Sequence, residues 1–309
     1  DSRFRAGLDS CLGSTVGVMT VGALYARAQE TLSRHAVSEP GVEAEVMVRQ
    51  ALGLDRAQYF AELADQVPVD RIYDLDALLF RRLGGEPLAY LTRRREFFGL
   101  GFVVTPDVLV PRQETELLVE MALEFLTRSL RFGVDSPAVI ADVGTGSGAI
   151  AVSVAANFAN ARIYATDIST AALRIAETNV KTHQVAHKVD CMYGDLLEAV
   201  PGSIDLIIAN LPYIPSLLLD ELPNEVRREP RIALDGGMDG LGQYRRLLGQ
   251  AGGRIHSHGA ILVELMPDQI DEAAGLATKA FPTAEVNCVG DLAGDLRALS
   301  VFMDDGIHA

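Results

Sequence analysis

The sequence has no tryptophan, only three cysteines in 309 residues, and no long apolar run. Cys11, Cys191 and Cys288 are far apart and odd in number, which argues against a disulfide framework and against a cysteine-based metal site, and fits a reducing compartment. No apolar stretch reaches the ~18–20 residues that a membrane span needs, and no secretory signal pattern opens the sequence. These absences predict a cytoplasmic protein without a membrane partner.

Basic side chains are also scarce: 27 Lys and Arg stand against 42 Asp and Glu, for a formal net charge of −15. Proteins that hold nucleic acid through its phosphates need a basic face, so this balance argues against a nucleic-acid substrate. A local exception is an arginine cluster, defined here as Arg81, Arg82, Arg93, Arg94 and Arg95. It is interpreted either as a solvated connector or as a docking patch for an acidic or RNA-associated partner.

The periodicity of apolar residues divides the chain into four parts. Residues 1–18 lack sustained periodicity and are interpreted as a disordered leader or a remnant left from expression. Residues 19–85 repeat apolar positions three and four apart, which predicts a small helical domain. Residues 86–112 mix β-branched and aromatic residues with Pro and Gly, which predicts a connector with a short hairpin.

Residues 113–309 alternate between predicted strands and predicted helices. That rhythm is typical of an α/β fold with a doubly wound, mostly parallel sheet. No helix separates the last two predicted strands, near 284–289 and 296–303, so they should form an antiparallel hairpin at one edge of the sheet.

A glycine-rich turn, GxGxG, follows the first predicted strand of this sheet, with Asp142 inside the strand. Glycines there let the backbone approach a ligand, and the following helix presents free N–H groups. The turn consists of Gly144, Thr145, Gly146, Ser147 and Gly148. A single turn of this kind is weak evidence, because such turns are structural about half the time.

Two acids follow at later strand ends and give the turn a context. Asp167 ends the second strand, where a carboxylate accepts hydrogen bonds from ribose hydroxyls. Asp195 ends the third, where it could meet an adenine amino group while Leu196 packs on the ring. No basic phosphate clamp accompanies them, so S-adenosyl-L-methionine fits this set better than NAD.

The stretch "LIIANLPYIP" ends the fourth predicted strand in Asn210-Leu211-Pro212-Tyr213. It is similar to the Asn-Pro-Pro-Tyr motif of methyltransferases that modify a planar amino group. Such a nitrogen is a poor nucleophile because its lone pair is delocalised. Oδ1 of Asn210 and the backbone carbonyl of Leu211 could accept hydrogen bonds from the amino group and localise that lone pair, while Tyr213 packs on the planar group.

Four further segments make the resemblance specific: "GEPLAYLTRRREFFGLGFVV", "VLVPRQETELLVE", "VRREPRIALDGGMDGLGQYRRLL" and "LVELMPDQ". From about Thr20 to Met303 the chain resembles the protein-(glutamine-N5) methyltransferases of peptide chain release factors. The resemblance implies a class I, Rossmann-like methyltransferase fold. It also implies methylation of the glutamine in the Gly-Gly-Gln motif of class I release factors, and we expect a monomer.

The resemblance also assigns candidate site residues by matching position. The cofactor would be lined by Gly144, Thr145, Gly146, Ser147, Gly148, Asp167 and Leu196; to these we add Asp195, from its place at a strand end, and Asn210. The glutamine would be held by Asn210, Leu211, Pro212 and Tyr213, with Phe97 or Phe98 as a wall. The helical domain and the arginine cluster at its exit would recognise the protein substrate at a second point of contact.

Supporting roles are expected for a second set of residues. Glu229 and Arg231 should pin the loop that covers the substrate, and Glu264 should support the site from behind. Thr115 is interpreted as a helix-entry residue. Arg112 and Glu116 are interpreted as an i,i+4 ion pair of that helix.

Two departures from the family pattern keep alternatives open. Leu211 replaces the usual first Pro, and "NLPY" also occurs in enzymes that dimethylate adenine in ribosomal RNA; Met266 replaces a usual Gly. The main alternative is therefore an adenine-N6 methyltransferase acting on RNA or DNA, which would need a basic groove. A second is a non-catalytic, cofactor-binding assembly protein. No metal is expected, since the His256–His258 pair has no partnering Cys or carboxylate cluster in the sequence.

Overall fold

The structure is a computed structural model that describes residues 19–129, 131–132, 136–291 and 294–303. The expected leader, residues 1–18, lies outside the described residues. The chain forms two compact units, one ending at Arg93 and the other beginning at Arg94. This division falls inside the segment expected to be a connector, residues 86–112.

Over residues 19–93, the first unit is helical, with one two-residue strand pair. Thr20 begins its first helix by accepting a hydrogen bond from Ala23 N, and Asp55 and Gln58 form a reciprocal capping box on its third. Leu24, Leu75 and other apolar residues at helical spacing fill its core. Its elements are β1 (Met19–Thr20), α1 (Val21–Arg34), α2 (Pro40–Leu52), α3 (Arg56–Ala61), β2 (Gln66–Val67), α4 (Val69–Leu83) and α5 (Leu88–Thr92).

Most arginines of the cluster donate hydrogen bonds to acceptors in the same unit as the arginine itself. The Arg82 guanidinium donates to both carboxylate oxygens of Glu43, at 2.6 and 2.8 Å, and both side chains are buried. Arg81 Nε donates to Glu86 at 2.8 Å. In the second unit, Arg95 Nε donates to the carbonyl of Pro111 at 3.1 Å. These pairings hold the local chain together and leave less of the cluster for a docking patch.

The second unit opens with a hairpin of β3 (Arg94–Phe97) and β4 (Leu100–Val103). Phe97 and Phe102 pack edge to face, with ring centroids 6.1 Å apart, and both are fully buried. The buried Asn179 side chain joins this hairpin to the glycine-rich turn: it bonds both backbone groups of Val103 and donates to the carbonyl of Ser147 at 2.8 Å. The hairpin is thereby fixed beside that turn.

A seven-stranded sheet forms the centre of this unit. Its strands are β5 (Ala138–Val143), β6 (Ala161–Asp167), β7 (Val189–Tyr193), β8 (Ile204–Ala209), β9 (Ile255–Glu264), β10 (Glu285–Gly290) and β11 (Leu296–Phe302). The spatial order is β10-β11-β9-β8-β5-β6-β7. Strands β5 to β9 are parallel to their neighbours among themselves, while β11 is antiparallel to β9 and to β10. The predicted sheet and its antiparallel edge hairpin are confirmed.

Helices cover both faces of the sheet because successive strand residues point to opposite sides. Ile140 and Ile208 pack on one side with α6 (Glu116–Arg128), α7 (Ala149–Asn157) and α8 (Thr170–Thr182). Ala141 and Ile207, one residue away, pack on the other side with α9 (Gly242–Ala251) and α10 (Ile270–Ala280). None of the helices in the described ranges is long and apolar enough to span a membrane.

Candidate functional site

A cleft of about 1160 Å³, including its open mouth, lies at the carboxyl ends of the parallel strands. Strand β8 returns to pair with β5 after β7 has formed the far edge, and ligands bind in α/β sheets where the strand order reverses in this way. The predicted residues that line the cleft are Phe97, Gly144, Thr145, Gly146, Ser147, Asp167, Asp195, Leu196, Asn210, Leu211 and Pro212. Two predicted residues, Gly148 and Tyr213, lie behind this lining.

The glycine-rich turn uses left-handed backbone conformations that other residues rarely adopt. Gly144 has φ +72°, and a Cβ there would stand 3.1 Å from Leu211 Cδ2. The turn and the Asn210–Tyr213 loop are thus in close approach. Gly148 has φ +80°, and a Cβ there would stand 3.2 Å from the Ala176 Cβ on α8. A glycine is required at position 148 because the turn packs closely against α8 there.

Asp142, deeply buried at the end of β5, fixes the shape of this turn. Its Oδ2 accepts hydrogen bonds from Thr145 Oγ1 at 2.6 Å and from Ala151 N at 3.1 Å. Burial raises the pKa of Asp142 to about 6, and the hydrogen bonds from Thr145 and Ala151 oppose that rise. Asp142 therefore acts on a ligand only through the turn.

Asp167 stands at the end of β6 with its carboxylate already oriented. Oδ2 accepts from Gly146 N at 2.9 Å, and Oδ1 accepts from Ser169 N at 2.8 Å. Burial raises the pKa of Asp167, and these backbone hydrogen bonds lower it. Each carboxylate oxygen has a second lone pair, so the group can still accept from a diol.

Asp195 and Leu196 follow β7 in a loop that is held from two sides. Leu196 has φ +55°, and its carbonyl accepts from Thr166 Oγ1 at 2.8 Å. Asp195 Oδ2 pairs with the guanidinium of Arg246 on α9. Arg246 and Gln243 line the cleft beside Asp195. Sequence reasoning missed both, because they lie about fifty residues further along the chain, on a helix whose pattern shows only that one face is apolar.

Asn210 follows β8 directly and is held by a hydroxyl from the start of α6. Its Nδ2 donates to Thr115 Oγ1 at 2.9 Å, which leaves Oδ1 available as an acceptor. Thr115 is buried and occupies the cap position of α6, but its side chain makes no capping hydrogen bond. Thr115 is therefore the helix-entry residue by position, as expected, but its hydroxyl serves Asn210 and does not cap the helix.

Tyr213 supports the same loop from behind. Its hydroxyl donates to Glu264 Oε1 at 3.1 Å, and its carbonyl accepts from Gln269 Nε2 at 2.8 Å. Burial raises the pKa of Glu264, and the hydroxyls of Thr115 and Tyr213 oppose that rise. Burial and the nearby Glu264 carboxylate both raise the pKa of Tyr213, so this phenol stays a donor. Tyr213 thus donates to a buried carboxylate at the end of β9.

Arg112 pairs with Glu229, 117 residues away, and not with Glu116 as expected from the helical spacing. Glu229 is buried and also accepts from Val110 N at 2.9 Å. Glu116 instead accepts from Phe98 N at 2.9 Å. The i,i+4 interpretation is wrong because α6 begins only at Glu116, so Arg112 lies outside the helix.

The segment between β8 and α9 carries the remaining expected residues and adds one that was missed. Arg231 pairs with Asp235 at 3.5 Å and is mostly exposed. Ile232, its neighbour, lines the cleft.

Ile168, which follows Asp167, also lines the cleft and is 51% exposed. Because Ile168 directly follows the acid that ends a strand, the sequence alone could have predicted an apolar side chain that faces the ligand.

His256 and His258 lie at the beginning of β9, at the opposite end of that strand from Glu264. Their rings stack with centroids 5.1 Å apart, and His258 Nε2 lies 3.1 Å from Asp205 Oδ1. Within the described ranges, no group of three or more His, Cys, Asp and Glu side chains could hold a metal ion.

Comparison with known proteins identifies two domains and a shared fold. Residues 23–92 match the model of the PrmC N-terminal domain, and residues 119–220 match that of the Methyltransferase small domain. Among solved structures, the hMettl16 catalytic domain in complex with a 3′UTR hairpin has a TM-score of 0.54 at 17% identity, covering 75% of this chain and 81% of that one. That similarity shows the fold of a class I methyltransferase.

Curated relatives match over nearly the whole chain. A release factor glutamine methyltransferase of Moorella thermoacetica is 40% identical over 285 residues, covering 92% of this chain and 99% of the relative. The Bordetella pertussis protein of the same name is 42% identical, covering 85% and 96%. A third, from Coxiella burnetii, is 38% identical, covering 84% and 91%. The chain belongs to the family of release factor glutamine methyltransferases.

Proposed function

We propose that this protein transfers a methyl group from S-adenosyl-L-methionine to the side-chain amide nitrogen of the glutamine in the Gly-Gly-Gln motif of a class I peptide chain release factor. The matches to relatives that carry this name cover almost the full length of those relatives. The observation that supports the proposal most strongly is the Asn210 carboxamide, which lines the cleft with its nitrogen already bonded to Thr115.

The residues around the cleft fit the proposed cofactor. The Gly144–Gly146 backbone leaves space that a Cβ would fill, and Asp167 offers a carboxylate oriented by two backbone amides. The glycine-rich turn and Asp167 would hold the ribose and the methionine portion of the cofactor, while Asp195 and Leu196 would hold the adenine. When bound, the cofactor supplies an electrophilic methyl group, whose bond to sulfur breaks as its bond to nitrogen forms.

The loop after β8 would hold the amide that receives the methyl group. A glutamine amide nitrogen is a weak nucleophile because its lone pair is delocalised into the carbonyl. Asn210 Oδ1 and the carbonyl of Leu211 would accept its two N–H groups, and both residues line the cleft. The excess proton leaves the nitrogen for solvent after transfer. Leu211 supplies the same backbone acceptor as proline, so the departure from the family motif preserves this chemistry.

Two further residues would complete the glutamine site. Phe97 lines the cleft and is almost fully buried, so it would form a fixed wall against the amide plane. Tyr213 would act through the loop, because its hydroxyl is bonded to Glu264 behind the cleft. Glu229 would fix the segment at Arg112 and Val110 that borders the same opening.

The helical unit would give the release factor a second point of contact. This role rests on its match to the PrmC N-terminal domain. A second contact raises affinity through effective concentration. Deleting residues 1–93 should therefore weaken methylation of the full factor far more than that of a short Gly-Gly-Gln peptide, with cofactor binding as the control for folding. Equal losses on both substrates would remove this role. We also expect the enzyme to be cytoplasmic and monomeric, and light scattering on the purified chain checks the latter.

Radiolabelled S-adenosylmethionine separates the proposal from its main alternative. The protein is incubated with either a class I release factor or deproteinised ribosomal RNA. We expect label in the factor, one methyl group by intact mass, located by peptide mapping on the Gly-Gly-Gln glutamine and absent from a factor with that glutamine changed to alanine. Label in the RNA alone would refute the proposal in favour of a nucleic-acid methyltransferase. Cofactor binding without turnover on either substrate would support the non-catalytic one.

A further inference from the structure

The guanidinium of Arg246 lies at the end of the cleft that is expected to hold the adenine, and the proposed function gives it no role. Arg246 projects from α9 and pairs with Asp195 Oδ2 at the lining of the cleft. Its Nη1 donates to Gln243 Oε1, one turn earlier on the same helix, at 2.8 Å. Arg246 is therefore held between a helix neighbour and the carboxylate that is expected to face the adenine.

The backbone of the loop that follows Asp195 is held by hydrogen bonds that do not involve Arg246. Leu197 N donates to Gln250 Oε1 at 2.8 Å, and the Leu196 carbonyl accepts from Thr166 Oγ1. The Arg254 guanidinium donates to the carbonyls of Leu197 and Val200. The backbone thus keeps its shape by itself, while the direction of the Asp195 side chain depends on the ion pair.

We propose that Arg246 is the residue that sets cofactor specificity: it holds the Asp195 carboxylate in a fixed direction as the acceptor for the 6-amino group of the adenine. The inference rests on the proposed function, since it assumes a bound adenosyl cofactor. The pair occupies Oδ2, so Oδ1 is the oxygen left for the base. A carboxylate fixed in this way accepts from an amino group and repels a 6-oxo group, because it has no proton to donate.

The arginine beside it provides a matched control. Arg245 lies on the same helix, is ion-paired and is exposed to a similar extent, but its partners are Asp239 and Glu272, at 2.7 Å each. Neither Arg245 nor its two partners line the cleft. Arg246→Met therefore removes the ion pair with Asp195 at the cleft, while Arg245→Met removes two ion pairs of the same helix that lie outside the cleft.

Isothermal titration of the full chain with S-adenosylhomocysteine and with its inosine analogue tests the inference without turnover. For Arg246→Met we expect the Kd for S-adenosylhomocysteine to rise about tenfold, as for the loss of a charge-assisted hydrogen-bond partner. Discrimination against the inosine analogue should fall at least about fivefold. Arg245→Met should keep the wild-type values for both ligands. Thermal unfolding of the two variants checks that both remain folded.

Three results would overturn the inference. Wild-type affinity in Arg246→Met would show that Asp195 needs no orientation. An equal loss for both nucleosides would assign Arg246 to the general shape of the cleft, without a part in specificity. A wild-type chain that binds no S-adenosylhomocysteine would remove the proposed function and this inference with it, and that outcome is distinct from the first two because it appears before any substitution is made.

Discussion

Asn210 Nδ2 donates a hydrogen bond to Thr115 Oγ1 at 2.9 Å, although 95 residues separate the two along the chain. A carboxamide can present either its oxygen or its nitrogen, and only the oxygen can accept from a substrate N–H. Because a lone pair of the Thr115 hydroxyl accepts the Asn210 amide hydrogen, Asn210 Oδ1 is left for the glutamine.

Replacing the hydroxyl should release that orientation. Thr115→Val keeps the volume but removes the acceptor, so Asn210 is free to turn, and we expect kcat to fall about ten- to a hundredfold. Thr115→Ser keeps the hydroxyl and should recover most of the activity. Steady-state kinetics on a release factor measure both, and S-adenosylhomocysteine binding confirms that the cofactor site is intact. Equal kcat values for the Val and Ser variants would show that the hydroxyl does not orient Asn210.

The glycine-rich turn should tolerate no side chain at Gly144. Gly144→Ala combines left-handed strain of about 1–2 kcal/mol with a 3.1 Å approach to Leu211 Cδ2. Gly253→Ala carries the same strain at φ +76°, but nothing lies within 4 Å of its Cβ. Both should be less stable in urea, and Gly144→Ala alone should bind S-adenosylhomocysteine at least about tenfold more weakly. Matching affinities in the two variants would refute the close approach of turn and loop.

The phenol of Tyr213 should matter more for stability than that of Tyr244. Tyr213→Phe deprives the buried Glu264 carboxylate of a donor, at a cost of about 1–3 kcal/mol. Tyr244 is buried, but its hydroxyl donates to the neutral carbonyl of Ala273 at 3.3 Å, so Tyr244→Phe should cost about 0.5–1.5 kcal/mol. Urea unfolding compares them. A larger loss in Tyr244→Phe would contradict the supporting role given to Glu264.

Asp142 should make the protein less stable as the pH rises from about 4 to 6. Its pKa is raised to about 6 in the folded chain, from a model-compound value of 3.8. Within this window the folded state keeps a proton that the unfolded chain has released, so the free energy of unfolding falls and then levels off. The difference between wild type and Asp142→Asn should change by on the order of 3 kcal/mol. A pH-independent difference in urea unfolding would mean that Asp142 is ionised throughout.

Local sequence patterns were sufficient for the parallel sheet and for part of the cleft lining. Asp167 and Asn210 could be placed because each ends a short apolar run, and the carboxyl ends of parallel strands converge at one edge. The glycine spacing at Gly144 and Gly146 was equally local, since a left-handed turn needs those residues.

Long-range partners could not be predicted from those patterns. Arg112 has a plausible helical partner four residues away, yet it pairs with Glu229, because α6 begins too late to include it. Asn179 reads as an ordinary polar position on α8, while the fold buries it between Val103 and the turn. Such pairings depend on how the elements pack, and a single sequence carries no signal for them.

A crystal structure of the protein with S-adenosylhomocysteine and a Gly-Gly-Gln peptide tests the central claim most directly. The glutamine amide nitrogen should lie about 2.8–3.2 Å from both Asn210 Oδ1 and the carbonyl oxygen of Leu211, with Asn210 Nδ2 still bonded to Thr115. An Asn210 side chain turned away from the amide, with another group accepting its hydrogens, would contradict the account.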